Sequence, residues 1–129
     1  MTRAILDTSV VIATERGADL ALERPPDEAA ISVVTLAELD LGVHLARSED
    51  ERAARLRTLR ASEATYVALP VDRVVAAEFA ALVAAARREG RRPKVQDAWI
   101  AATAKAHGAT VVTRDADFDG LPGVEVVRV

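Results

Sequence analysis

Apolar residues recur along this chain in two alternating patterns. Short runs with strand character are followed by longer stretches that repeat about every 3.6 residues. The short runs are Arg3 to Leu6, Ala29 to Ser32, Tyr66 to Leu69, Thr110 to Thr113 and Val124 to Val127, each of strand length. The longer segments carry readable ends. Ser48-Glu49-Asp50-Glu51 has the form of a capping box before a helix over Arg52 to Ala64. Its acids come first and Arg52, Arg55, Arg57 and Arg60 follow, as the helix dipole prefers. Asp72 is placed to cap the next helix, where Val75, Phe79, Leu82, Val83 and Ala86 make one apolar stripe and Gly90 supplies the stop. Pro93 restarts the chain before a helix over Val95 to His107, and Gly108 ends it. Strands alternating with helices predict an α/β fold: a three-layer α/β/α sandwich around a central, mostly parallel sheet.

Length and composition narrow the picture. The 129 residues suit one domain over 1–129, large enough to bury roughly two-thirds of its unfolded surface. The hydrophobic fraction is 50% but the aromatic fraction only 3%, so the core is expected to be closely packed aliphatic side chains. There is no cysteine, which excludes disulfides, thiolate metal sites and a cysteine nucleophile. The net charge of -3 excludes a duplex-binding module that works by bulk positive charge. No segment is long enough to span a bilayer. The run from Ala4 to Ala13 is broken by Asp7 and lacks a cleavage-site pattern, so a cytoplasmic location with no membrane contact is expected.

Four acids then stand out by position. Asp7 and Asp115 follow strand ends; Glu38 and Asp97 are predicted in the first turns of helices. Each has an ordinary structural account. Asp7 can be an N-cap, and Thr35-Leu36-Ala37-Glu38 fits a capping box. Asp97 suits the dipole of a first turn, and Asp115 lies in an Asp-rich turn that bonds its own backbone. Topology joins them. In a parallel sheet, strand ends and the starts of the following helices lie on one edge, where open α/β sheets place their sites. Gathered carboxylates repel one another, so a fold that collects them suits a hard divalent cation with oxygen ligands, magnesium or manganese. Such a metal would orient a phosphodiester and activate a water, with no covalent intermediate; one or two ions fit the pattern equally. His44 and His107 are not placed for acid–base work.

The same residues carry a resemblance. Ile5-Leu6-Asp7-Thr8-Ser9, Ile31 to Leu39 with Gly42, Asp97-Ala98-Trp99-Ile100-Ala101-Ala102-Thr103-Ala104 and Val112-Thr113-Arg114-Asp115-Ala116-Asp117-Phe118 resemble, in order and over nearly the whole chain, a PIN domain. Within that superfamily they are similar to the VapC-type toxins of bacterial toxin–antitoxin pairs. The resemblance implies a magnesium- or manganese-dependent endoribonuclease whose acids are Asp7, Glu38, Asp97 and Asp115, with Asp117 a second candidate ligand. It implies supporting roles for Ser9 and Thr113, a small antitoxin whose tail lies over the site and inserts a basic side chain among the acids, and a homodimer. Leu41, Val43 and Leu45 are candidates for an exposed apolar patch. Trp99 stands where a smaller aliphatic residue is expected, and either meets a partner or fills a surface groove.

RNA has to reach an acidic pocket. Arg87 to Lys94 leads directly into the Asp97 helix, so Arg91, Arg92 and Lys94, with Arg114, are candidate phosphate contacts in a flexible basic loop; a solvated helix end explains the same charges. Four other functions compete. A housekeeping PIN nuclease in RNA processing is one, although the compact length favours a toxin. A receiver-like phosphoacceptor domain needs adjacent acids after the first strand and a late Lys, yet Thr8 and Ser9 follow Asp7 and no Lys lies beyond Lys105. A binding-only module with a degenerate site conflicts with the presence of all four acids. A dinucleotide-binding domain lacks its Gly-rich first turn.

Overall fold

The computed structural model of the chain describes residues 3–20, 22 and 25–129. Its strands are β1 (Arg3–Leu6), β2 (Glu28–Ser32), β3 (Ala68–Leu69), β4 (Thr110–Thr113) and β5 (Val126–Arg128). Its helices are α1 (Thr8–Glu15), α2 (Val33–His44), α3 (Glu49–Thr65), α4 (Arg73–Arg88) and α5 (Val95–Ala106), with a 3-10 turn at Ala116–Phe118. The sheet order is β3-β2-β1-β4-β5, and every pairing is parallel. The chain winds outward from β1 to β3, then crosses back to β4 and β5. The winding direction reverses between β1 and β4, which is where open α/β sheets leave a crevice beyond the strand ends.

Alternation along the central strands builds two cores. Ala4 and Leu6 of β1 and Val112 of β4 face one layer with Val10, Val11, Leu39, Val43 and Leu59, drawn from α1, α2 and α3. Ile5 and Val111 face the other with Leu82, Ala98, Ile100, Ala101, Ala104 and Phe118, drawn from α4, α5 and the 3-10 turn. This is the expected α/β/α sandwich, with all strands parallel. The small residues of α5 let it lie close against the sheet, and that closeness carries its N-terminus to the crevice. Each fully buried aliphatic side chain contributes roughly 1.5–3 kcal/mol.

The predicted caps are present. Ser48 Oγ accepts from Glu51 N at 3.1 Å, and Asp72 Oδ1 accepts from Val75 N at 3.0 Å. Gly90 adopts a φ of 78° past the end of α4, a conformation that costs glycine little. Some boundaries differ from expectation. β3 is shortened to Ala68–Leu69 because α3 runs on to Thr65 and Tyr66 serves as its C-cap. β5 begins two residues late, after a turn in which Gly123 has a φ of 70°.

Trp99 is half-buried and packs against another helix of the same chain. It stacks on Phe79 of α4, with ring centroids 3.7 Å apart and planes 16° apart, sealing α4 against α5. Of the expected apolar patch, Val43 belongs to the core while Leu41 and Leu45 are exposed. Among the described residues, no helix is long and apolar enough to cross a membrane.

Candidate active site

Asp7 stands where the winding reverses. Its backbone N–H donates to Val112 O at 2.9 Å, which extends the β1–β4 ladder and brings it beside Thr113. Asp7 occupies the N-cap position of α1, yet its side chain makes no capping bond. Instead Oδ2 accepts from Ser9 Oγ at 2.7 Å and from Thr113 Oγ1 at 2.9 Å. Each of those hydroxyls is itself fixed by a backbone amide. Arg114 N donates to Ser9 Oγ at 3.1 Å, and Asp115 N to Thr113 Oγ1 at 2.9 Å. A hydroxyl has one proton, so a hydroxyl that already accepts from an amide turns that proton to the carboxylate. Asp7 is thus buried and oriented through one oxygen, while among the described residues no donor is bonded to the other.

Asp97 is the third residue of α5 and is 8% exposed. Its Oδ2 is sealed from solvent and has no hydrogen-bond partner, alone among the described residues' buried side-chain polar atoms. Buried acceptors in native proteins are nearly always satisfied; this one is aimed at something the protein itself does not supply. Burial pushes the Asp97 carboxyl up to about 6, the charges of Asp7 and Asp115 add to the rise, and Lys94 opposes it.

Glu38 lies in the second turn of α2, not the first. Ser32 caps the helix through a bond from Val34 N at 3.1 Å, so α2 starts directly at the end of β2 with no loop between. The capping-box account of Thr35 and Glu38 falls with that boundary. The half-buried Glu38 accepts from Thr8 Oγ1 at 2.8 Å, and Thr8 Oγ1 also lies 3.1 Å from Thr35 Oγ1. Burial raises the Glu38 pKa, the Thr8 hydrogen bond lowers it, and Asp7 raises it again. The sequence pattern does not point to Thr8 and Thr35 as supports, because hydroxyls that meet across two elements leave no spacing signal.

Asp115 keeps its structural duty, since Oδ1 accepts from Asp117 N at 2.8 Å and caps the 3-10 turn. It also faces the acidic cleft. Asp7, Thr8, Ser9, Glu38, Lys94, Gln96, Asp97 and Asp115 line one cavity of about 330 Å³, so the four expected acids share a cleft. One oxygen each from Asp97, Asp115 and Asp117 lie within 4.8 Å of one another. Asp117 lines a neighbouring groove with Arg91, Arg92, Pro93, Lys94 and Ala116, and its Oδ2 lies 2.7 Å from Lys94 Nζ.

The basic loop is tied down. Arg91 donates to the carbonyls of Gly120 and, at 2.8 Å, of Asp119, pinning the loop to the Asp-rich turn. Arg91 is therefore a structural tether, whereas Arg92 and Arg114 are exposed. His44 is exposed and lies 3.7 Å from Asp40; His107 is the C-cap of α5. Neither lines the acidic cleft.

A carboxylate-only donor set beside an orphaned buried oxygen suits a hard, oxygen-loving divalent cation. Residues 4–124 match the model of the PIN domain. The chain belongs to the PIN-domain family. Within it, this PIN domain is 47% identical over 128 residues to Ribonuclease VapC5 of Mycobacterium tuberculosis, across 97% of the chain and 94% of that relative. It is 37% identical over 92 residues to Toxin FitB of Neisseria gonorrhoeae, covering 69% and 66% of the two chains. The crystal structure of VapBC-5 from Mycobacterium tuberculosis, a member of the VapBC family of toxin-antitoxin systems, superposes with a TM-score of 0.88 at 42% identity over 100% of both chains. That of FitAcB from Neisseria gonorrhoeae superposes with a TM-score of 0.79 at 30% identity, over 97% and 96%. These relatives put the chain in the VapC branch of the PIN family.

Proposed function

We propose that this PIN domain is a metal-dependent endoribonuclease and the toxin of a toxin–antitoxin pair, working in the cytoplasm. The observation that carries the chemistry is Asp97 Oδ2, a buried acceptor without a donor, in a cleft shared by Asp7, Glu38 and Asp115. Those four carboxylates would hold magnesium, or manganese in its place. When bound, the ion would supply positive charge to the phosphate and acidify a water.

The chain's own residues set the geometry. Ser9 and Thr113 hold the Asp7 carboxylate in one orientation, and Thr8 holds Glu38. Carboxylate oxygens left free in the cleft orient the attacking water and receive its proton. Lys94 at the cleft, with Arg92 and Arg114 outside it, offers cations to the phosphates of single-stranded RNA. The partner reading rests on the relatives: by name, one superposing structure is of a toxin–antitoxin system and another, from Klebsiella pneumoniae, is a toxin–antitoxin complex. A small antitoxin that places a basic side chain among the acids would neutralise the cleft. The exposed Leu41 and Leu45 offer apolar surface for a homodimer.

The test is cleavage of a single-stranded RNA by purified protein with magnesium or manganese, with chelator, and with Asp97→Asn as control. Metal-dependent cutting by the native chain alone is expected. An intact RNA under all metal conditions, from folded protein, overturns the nuclease reading. Co-purification with the product of an adjacent small gene tests the toxin reading separately.

A further inference from the structure

Among the described residues, Lys94 alone borders both the acidic cleft and the groove beside it. Its ammonium lies 2.7 Å from Asp117 Oδ2, and Asp97 and Asp115 face it closely enough that all three acids favour its charge. Those same acids bring one oxygen each within 4.8 Å of one another. Three carboxylates at that separation could hold a cation, in a group separate in composition from the Asp7–Glu38 side of the cleft. Of these three acids, Asp115 Oδ1 accepts from Asp117 N and Asp117 Oδ2 meets Lys94, while Asp97 Oδ2 is buried and has no hydrogen-bond partner.

Local structure keeps Lys94 at its post. It is the N-cap residue of α5, just after Pro93. The turn carrying Asp117 is held against the same loop by Arg91, which bonds the carbonyls of Asp119 and Gly120. Arg128 adds a contact to Asp119 at 3.1 Å. Ammonium and carboxylate therefore meet because both backbones are fixed, with only the lysine stem free to move.

We infer that Lys94 is a resident counter-cation of the Asp97–Asp115–Asp117 seat, and that it decides how many metal ions the cleft holds. The inference rests on the metal-dependent reading above and extends it to stoichiometry. With Lys94 on Asp117, one metal ion binds tightly, shared by Asp7, Asp97 and neighbours. A second ion, at Asp117, competes with an ammonium already there. The pair is exposed on both sides, at 66% and 49% of the side chains, so its hold is moderate and falls with salt. Lys94 thus grades the second ion's affinity rather than forbidding it.

The experiment counts bound manganese in the full chain by the loss of the free aqueous ion's paramagnetic resonance signal. Native protein is expected to show one tight site and a second, weaker one. Lys94→Met is expected to tighten the second about tenfold and leave the first within about twofold, while Lys94→Arg keeps the native pattern. Adding Asp117→Asn to Lys94→Met is expected to abolish the gain. An unchanged second site in Lys94→Met, with the first intact, overturns the role of Lys94 and leaves the nuclease reading standing. Absence of any bound manganese in native protein overturns both. Lys94 is exposed and outside the core, so the variant's fold, checked by circular dichroism, is expected to be unchanged.

Discussion

Thr113 Oγ1 donates to Asp7 Oδ2 at 2.9 Å, joining residues 106 positions apart in the chain. The same hydroxyl accepts from Asp115 N, so one side chain couples the orientation of two acids. Thr113→Val removes it at nearly constant shape. It leaves one carboxylate bond and one amide unmade, at a cost of about 1–3 kcal/mol. Loss of a group that orients a ligand typically lowers metal affinity or activity about 10–100-fold. Cleavage assays should show a drop in that range, and Thr113→Ser should recover most of it. Equal activity in the Val variant would remove Thr113 from the machinery.

Asp97 predicts a pH-dependent stability in chelator. The folded carboxyl holds its proton up to about 6, against 3.8 for its ordinary value. Between those values the folded state binds more protons than the unfolded one, so stability falls as pH rises. The contribution of this group is complete below about 4 and lost above about 6. Asp97→Asn, uncharged throughout, is expected to be more stable than native protein at pH 7.5 by roughly 1–2 kcal/mol after solvent screening. That is about 3–8 °C in melting temperature. At pH 4 the two should melt together. An equal difference at both pH values would show that Asp97 charge is not the cause.

Metal should invert that ranking. Magnesium or calcium at 100 times its dissociation constant stabilises the native fold by about 2.7 kcal/mol. Native protein is expected to gain several degrees in thermal melts with added ion, while Asp97→Asn gains little. If both rise equally, the ion binds elsewhere.

The basic residues divide into tether and contact. Arg92→Ala and Arg114→Ala should weaken RNA binding, each lowering the salt dependence by about one phosphate's share, roughly 0.7 in log–log slope. Filter binding at several salt concentrations measures this. Arg91→Ala should act differently, lowering the melting temperature because the Asp119 and Gly120 carbonyls lose their donor.

The Phe79–Trp99 stack offers a test of the α4–α5 seam. Trp99→Ala opens it and is expected to cost about 2–4 kcal/mol in urea unfolding. A change under 1 kcal/mol would mean that the ring contributes little beyond covering surface.

Much of this arrangement is legible in the sequence, for physical reasons that also mark the limit. The β1 and β4 strands, the Ser48 and Asp72 caps and the glycine stops are local signals, carried by neighbours within a few residues. Parallel topology places Asp7, Glu38, Asp97 and Asp115 on one sheet edge; that they share one cleft emerges only in the structure. Glu38 sits a turn later in α2 than the sequence pattern predicts, because Ser32 begins the helix without a loop, and a cap that serves as strand end has no separate signature. The Thr8–Glu38 bond, the hydroxyl pair on Asp7, the Lys94–Asp117 contact and the Trp99 stack join residues from different elements. Which side chains meet there depends on how layers settle, information that no spacing within one segment carries.

The chain order of the Asp7 support has a temporal consequence. Asp7 and Ser9 are synthesised first, while Thr113 and the amides of Arg114 and Asp115 come more than a hundred residues later. The earlier strands and helices can assemble as the polypeptide emerges, yet their acid still lacks one of its two orienting hydroxyls and the whole β4 edge. A chain that stops short of Thr113 is therefore expected not to cut RNA. For a protein whose proposed substrate is RNA, that order keeps the cutting centre unfinished while its own message is still being read.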